Sequence, residues 1–123
     1  MKTAAKCFGY VRVSGDSQLD GDGFPRQESA IRDYAKRNGL KVVKIFREEA
    51  VSGDEQPMNR PAWTAMMDAL FGNGCKTILI EKLDRLSRKV GYQEVTIEAL
   101  GKQGFRLISA HEPDLMKIGR AHV

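Results

Sequence analysis

The chain has 123 residues, 41% hydrophobic and 29% charged, with a formal net charge of +4. That suffices for one domain with its own core, and the charge permits polyanion binding without requiring it. No apolar run is long enough to cross a membrane, and Met1-Lys2-Thr3-Ala4-Ala5-Lys6 leads to no signal-peptide segment, so a cytoplasmic protein is expected.

In chain order, Cys7, Phe8, Tyr10, Val11 and Val13 suit a buried strand that stops at Gly15-Asp16. Ser14 then sits at the strand's C-terminal end, where open α/β sheets place their sites. Arg12, two residues earlier, leaves the same face. A hydroxyl and a guanidinium at a sheet edge suit a nucleophile and a phosphate clamp, although a solvated strand end would read the same from these residues alone. Gly15 to Gly23 is a polar loop; Gly21-x-Gly23 lacks the third glycine of a dinucleotide fingerprint. A helix from Pro25 carries Ile31, Tyr34 and Ala35 and ends at Asn38-Gly39. Leu40 to Phe46 is a second strand. Arg47 to Asn59 is a long polar loop, the kind that often carries function.

Arg60-Pro61 opens a second helix on Trp63, Met66, Met67, Leu70 and Phe71, stopped by Gly72-Asn73-Gly74. Thr77-Ile78-Leu79-Ile80 is a strand covered on both faces. A third helix spans about Tyr92 to Lys102, and Phe105 to Ser109 is a fourth strand. The β-α-β-α-β-α-β order predicts a three-layer α/β/α fold around a mainly parallel, flavodoxin-like open sheet.

Between the third strand and the third helix lies Leu83-Asp84-Arg85-Leu86-Ser87-Arg88. First and third strands neighbour each other in flavodoxin-type sheets, which brings Arg85 and Arg88 towards Ser14 and Arg12. Arg85 and Arg88 share a face in a helical turn, and Asp84 beside them can hold a proton. One serine and several arginines suit phosphoryl transfer without a metal. Cys7 and Cys75 lack metal-type spacing and are expected reduced and packed, and His111 and His122 join no ligand cluster, so neither metal nor cofactor is expected. The rival reading is a metal-dependent, flavodoxin-like phosphoesterase using Ser14 or Asp84. It lacks a Walker motif and an acidic pair beside the nucleophile.

From Cys7 to Glu112 the chain resembles the catalytic domain of the serine site-specific recombinases, the resolvase/invertase family. Tyr10-Val11-Arg12-Val13-Ser14 resembles the family's nucleophile motif. Gln18 and Gln27 fall at its active-site glutamines, and Val51-Ser52-Gly53 at its loop segment. Arg60 matches the arginine before the second helix, and Leu83 to Arg88 the most diagnostic motif. Glu49 stands where many members carry an aspartate. The resemblance implies a catalytic set of Ser14, Arg12, Arg85, Arg88, Asp84, Arg60 and Gln27, with Tyr10, Gln18, Ser52 and Glu49 binding substrate.

The resemblance also implies the chemistry. The serine displaces a DNA 3′-oxygen, forms a 5′-phosphoserine linkage and needs no cofactor. Implied partners are double-stranded DNA and further copies of the full-length protein, from dimer to synaptic tetramer, with no small-molecule substrate. In the family a long dimerising helix and a DNA-binding domain follow the fourth strand. Lys117 to Val123 resembles a translated sequencing-library adaptor. The expectation is therefore a truncated catalytic domain over residues 1–116 and a non-native tail over 117–123. Enzyme activity is expected of the full-length parent, and the fragment itself is expected to fold but to be inactive; a folded, catalytically inactive fragment is also the second alternative for function.

Overall fold

The computed structural model describes residues 5–13, 23–49, 51–72 and 74–112. Ser14, Gln18 and the 117–123 segment lie outside the described residues. The elements are β1 (Ala5–Val13), α1 (Phe24–Arg37), β2 (Leu40–Glu49), a 3-10 turn (Pro57–Asn59), α2 (Pro61–Leu70), β3 (Thr77–Ile80), α3 (Leu83–Leu86), α4 (Val90–Lys102) and β4 (Arg106–Ser109).

The four strands form one sheet in the order β2-β1-β3-β4, every neighbouring pair parallel. β1 and β3 are adjacent, as the flavodoxin-type reading requires. Alternation along β1 splits the core in two. Phe8 and Tyr10 pack with Phe46, Trp63, Met66, Leu70 and Leu100, on the side of α2 and α4. Cys7 and Val11 pack with Ile31, Ala35 and Leu79, on the side of α1. This is the three-layer α/β/α arrangement. Gly9 lets α1 approach: a Cβ there would stand 3.0 Å from Ile45 Cγ1 and 3.2 Å from Ile31 Cγ2.

Proline lies in the first turn of α1 and of α2, where its missing N–H costs nothing. Gly39 and Gly104, past the ends of α1 and α4, take φ of 68° and 85°, the left-handed conformation that turns each helix into the next strand. Cys7 and Cys75 are both free and buried. Burial, with a smaller push from Cys75, raises the Cys7 thiol to about 11, so it is uncharged at neutral pH. Among the described residues no helix is long and apolar enough to cross a membrane.

Two features depart from the sequence reading and both shape the site. β2 runs to Glu49 rather than ending at Phe46, because Arg47, Glu48 and Glu49 stay in register with Val11, Arg12 and Val13. The ladder carries these polar residues where hydrophobicity gives no strand signal. In addition, the segment after β3 contains the four-residue helix α3, too short to show periodicity.

Candidate active site

β1 outruns its neighbour. Its ladder to β3 ends at Gly9↔Leu79, while its ladder to β2 continues to Val13↔Glu49. Beyond Gly9, side chains do the work of the absent strand. The Arg12 N–H donates to Gln27 Oε1 at 3.1 Å, and Gln27 Nε2 donates to the Arg12 carbonyl at 3.0 Å. Gln27 is fully buried on α1. Its carboxamide fixes the main chain two residues before position 14.

The Arg12 side chain is as constrained as its backbone. Nη1 donates to the Val51 carbonyl at 2.9 Å, Nη2 to the Asp84 carbonyl at 2.8 Å and Nε to the Arg85 carbonyl at 3.1 Å. A short helix leaves its last carbonyls without intrahelical partners. In α3 those carbonyls are taken by arginines, since Arg60 Nη1 also donates to the Arg85 carbonyl, at 3.3 Å. Burial first, then the neighbouring Arg60, lowers the Arg12 guanidinium to about 10, which leaves it cationic at neutral pH.

Arg60, the N-cap residue of α2, is fully buried. Nη2 donates to the Glu55 carbonyl at 2.8 Å and Nη1 to the Tyr10 hydroxyl at 3.2 Å. Arg60 Nε is buried without an acceptor among the described residues. The Tyr10 hydroxyl donates to Glu48 Oε1 at 2.8 Å. Burial above all, against the opposing pull of Arg60, raises the Tyr10 phenol and keeps that donor protonated. Glu48 also accepts the N–H groups of Ala62 and Trp63, at 2.8 and 3.0 Å, so it caps the N-terminus of α2.

Arg85 is buried, its Nε 3.4 Å from Glu81 Oε1 and 3.7 Å from Asp84 Oδ1. Arg88 is exposed. Its N–H donates to the Gly53 carbonyl at 3.0 Å, and that carbonyl also accepts the Ser87 hydroxyl at 3.2 Å. The loop after β2 is thereby tied to the turn after α3. Gly53 permits this closeness: a Cβ there would stand 2.6 Å from Arg88 Cγ and 2.8 Å from Arg12 Nη2. Gly53→Ala should therefore cost about 1–3 kcal/mol in denaturant unfolding and speed exchange of the Arg88 amide, as overpacking forces the two loops apart. An unchanged unfolding midpoint with normal amide protection would contradict the close approach.

Of the sequence-nominated residues, Tyr10, Arg12, Gln27, Arg60 and Arg85 share one buried network, and Arg88 stands at its solvent rim. Asp84 has a half-exposed side chain; its carbonyl, rather than its carboxylate, meets Arg12. Ser52 is exposed, and its hydroxyl accepts the Asp54 N–H at 3.0 Å, a local turn contact. Glu49 is exposed, and Glu48 is the carboxylate of that strand end that turns inward. Glu48, Glu81 and Ser87 were not nominated. Alternation continued from buried Phe46 would have found Glu48. Glu81 stands four residues before Arg85, the spacing of a helical ion pair, while Ser87 depends on a tertiary contact with the Gly53 carbonyl.

Guanidinium groups from β1, α3, the turn after α3 and the start of α2 thus gather at the C-terminal edge of β1 and β3. Such a cluster can neutralise the non-bridging oxygens of a phosphodiester and stabilise charge developing on them. The family model described as "Resolvase, N terminal domain" matches residues 7–121. The N-terminal catalytic domain of TP901-1 integrase superposes with a TM-score of 0.77 at 25% identity, over 95% of this chain and 92% of that one. Two further solved structures share the fold. A resolvase family site-specific recombinase from Streptococcus pneumoniae gives a TM-score of 0.73 at 21% identity, over 96% of this chain and 85% of that one. The C-terminal catalytic domain of ISC1926 TnpA, an IS607-like serine recombinase, gives 0.71 at 24%, over 92% and 77%. A match that spans nearly the whole chain, over a parallel sheet whose edge gathers the arginines, establishes that this chain belongs to the resolvase N-terminal domain family, the catalytic domain of serine recombinases.

Proposed function

We propose that this domain cuts and rejoins double-stranded DNA with Ser14 as the nucleophile. The observation that carries the reading is the arginine cluster gathered around the end of β1, with the Arg12 backbone clamped by Gln27 just before position 14. Ser14 Oγ attacks the phosphorus, the DNA 3′-oxygen leaves, and the product is a 5′-phosphoserine diester. The bond count at phosphorus is unchanged, so the reverse attack by a 3′-hydroxyl reseals the strand without an outside energy source. Arg88, whose exposed side chain makes no hydrogen bond or ion pair among the described residues, grips the phosphate. Arg12, Arg60 and Arg85 supply fixed positive charge behind it. Asp84, half-exposed beside Arg85, takes and returns the proton. Gln18, Ser52 and Glu49 contact the DNA around the scissile phosphate. Strand exchange requires further copies of the recombinase.

The test is covalent attachment. Mixed with DNA carrying its recombination site, the full-length recombinase should form an adduct with 5′ ends, equally in EDTA and in Mg²⁺, and Ser14→Ala should form none. An adduct that persists in Ser14→Ala would remove Ser14 from the role. Strict dependence on a divalent metal in the cleavage step would favour the phosphoesterase reading.

A further inference from the structure

Glu81 directly follows β3 and is fully buried, yet it takes no part in the chemistry described above. Basic side chains from three directions face it. Arg26, in the first turn of α1, forms an ion pair with Glu81 Oε2 and places its second nitrogen 3.1 Å from Oε1. Arg85 Nε, on α3, lies 3.4 Å from Oε1. His111 Nδ1, just past β4, lies 3.9 Å from Oε2. The main chain of Glu81 is pinned as well: its carbonyl accepts the His111 N–H at 3.0 Å and the Ser109 hydroxyl at 3.3 Å. A carboxylate enclosed in this way is anchored from β4 and cannot follow Arg85; Arg85 must follow it. Asp84, 3.7 Å from Arg85 Nε, is half-exposed and screened by water.

We propose that Glu81 is a positioning residue for strand cleavage, holding Arg85 in the arginine cluster and strapping that cluster to α1. Arg26 opens the helix that follows residues 14–22, the segment that carries Ser14. One buried carboxylate therefore links the start of that helix to the arginine motif after β3. It is also a buried counter-charge in a site that crowds Arg12, Arg60 and Arg85 together. Without it Arg85 is repelled by its neighbours and leaves the alignment that a phosphate requires.

The inference rests on the proposed recombinase chemistry, so its test pairs a cleavage readout with one that needs no cleavage. Glu81→Gln keeps the size and one acceptor oxygen and removes the charge. On site DNA the full-length variant should cut about a hundredfold more slowly at saturating DNA, the loss caused by a small misplacement of a catalytic group, with DNA affinity unchanged. Most of that loss should vanish in an Arg85→Lys background, because Glu81 acts through Arg85. In the NMR spectrum of this chain the Arg85 Nε–H signal should shift and broaden in Glu81→Gln, whether or not DNA is cut. A folded Glu81→Gln with wild-type cleavage and an unmoved Arg85 signal, or an equal loss in both backgrounds, overturns the proposal. If Glu81→Gln does not fold, Arg26→Gln releases only the partly exposed end of the strap. Slower cleavage at unchanged affinity then supports the proposal, and wild-type cleavage overturns it. Failure of the Ser14 adduct in the wild type, with the Arg85 signal still moved by Glu81→Gln, would count against the recombinase chemistry alone.

Discussion

Glu48→Ala should destabilise the domain by about 3–5 kcal/mol, the largest stability effect expected of any side chain in the site. The carboxylate accepts three hydrogen bonds, from the Tyr10 hydroxyl and the amides of Ala62 and Trp63. Its removal strands a buried phenol beside buried Arg60 and uncaps α2 at its positive end. Alanine offers no acceptor, and the space is flanked by Trp63, whose ring meets Tyr10 edge-on at 5.1 Å. Glu49→Ala, one residue along on the solvent side, should leave the urea midpoint where it is. If the two variants unfold at the same denaturant concentration, Glu48 does not cap α2.

Arg88→Ala should slow single-turnover cleavage by about 10²–10³-fold, as expected for the loss of one transition-state donor, with no change in the unfolding midpoint. Arg88 is exposed and holds the fold through its backbone N–H, which alanine retains. Lysine should restore little, because it lacks the planar fork that meets two phosphate oxygens. Arg12→Ala should differ in kind. Its guanidinium donates to three main-chain carbonyls, so the variant should lose both cleavage and stability. The pair thus separates an arginine that meets substrate from one that also assembles the site. Wild-type cleavage by Arg88→Ala would place the phosphate contact elsewhere.

The contrast between Glu48 and Glu49 shows where sequence reading reaches its limit. Strand order, layers and the β1–β3 adjacency were legible, because hydrophobic periodicity and right-handed crossovers determine them. The face that parity assigns to both Arg12 and Ser14 ends outside the described residues. The apolar run ends at Phe46 and gives no strand signal beyond it, yet β2 continues in register and turns the Glu48 carboxylate inward. Gln27 was nominated by resemblance to a motif. Its bond to the Arg12 backbone follows from β1 outrunning β3, which only the register reveals. The bonds of Arg12 to Val51, Asp84 and Arg85, and of Arg60 to Glu55 and Arg85, are equally hidden, since these acceptors are main-chain carbonyls and carry no residue identity.

That last property shapes how the site can drift over generations. Arg12 recognises the carbonyls of Val51, Asp84 and Arg85. Every residue type presents the same oxygen, so for this contact the side chains at 51 and 84 are free to change. The number of residues between β2 and Gly53, and between β3 and Arg85, is not. Single substitutions in these stretches leave the staple in place, while inserting or deleting one residue moves an acceptor by a full peptide unit and undoes it. Lineages of this domain should therefore vary in spelling across these loops and hold their spacing.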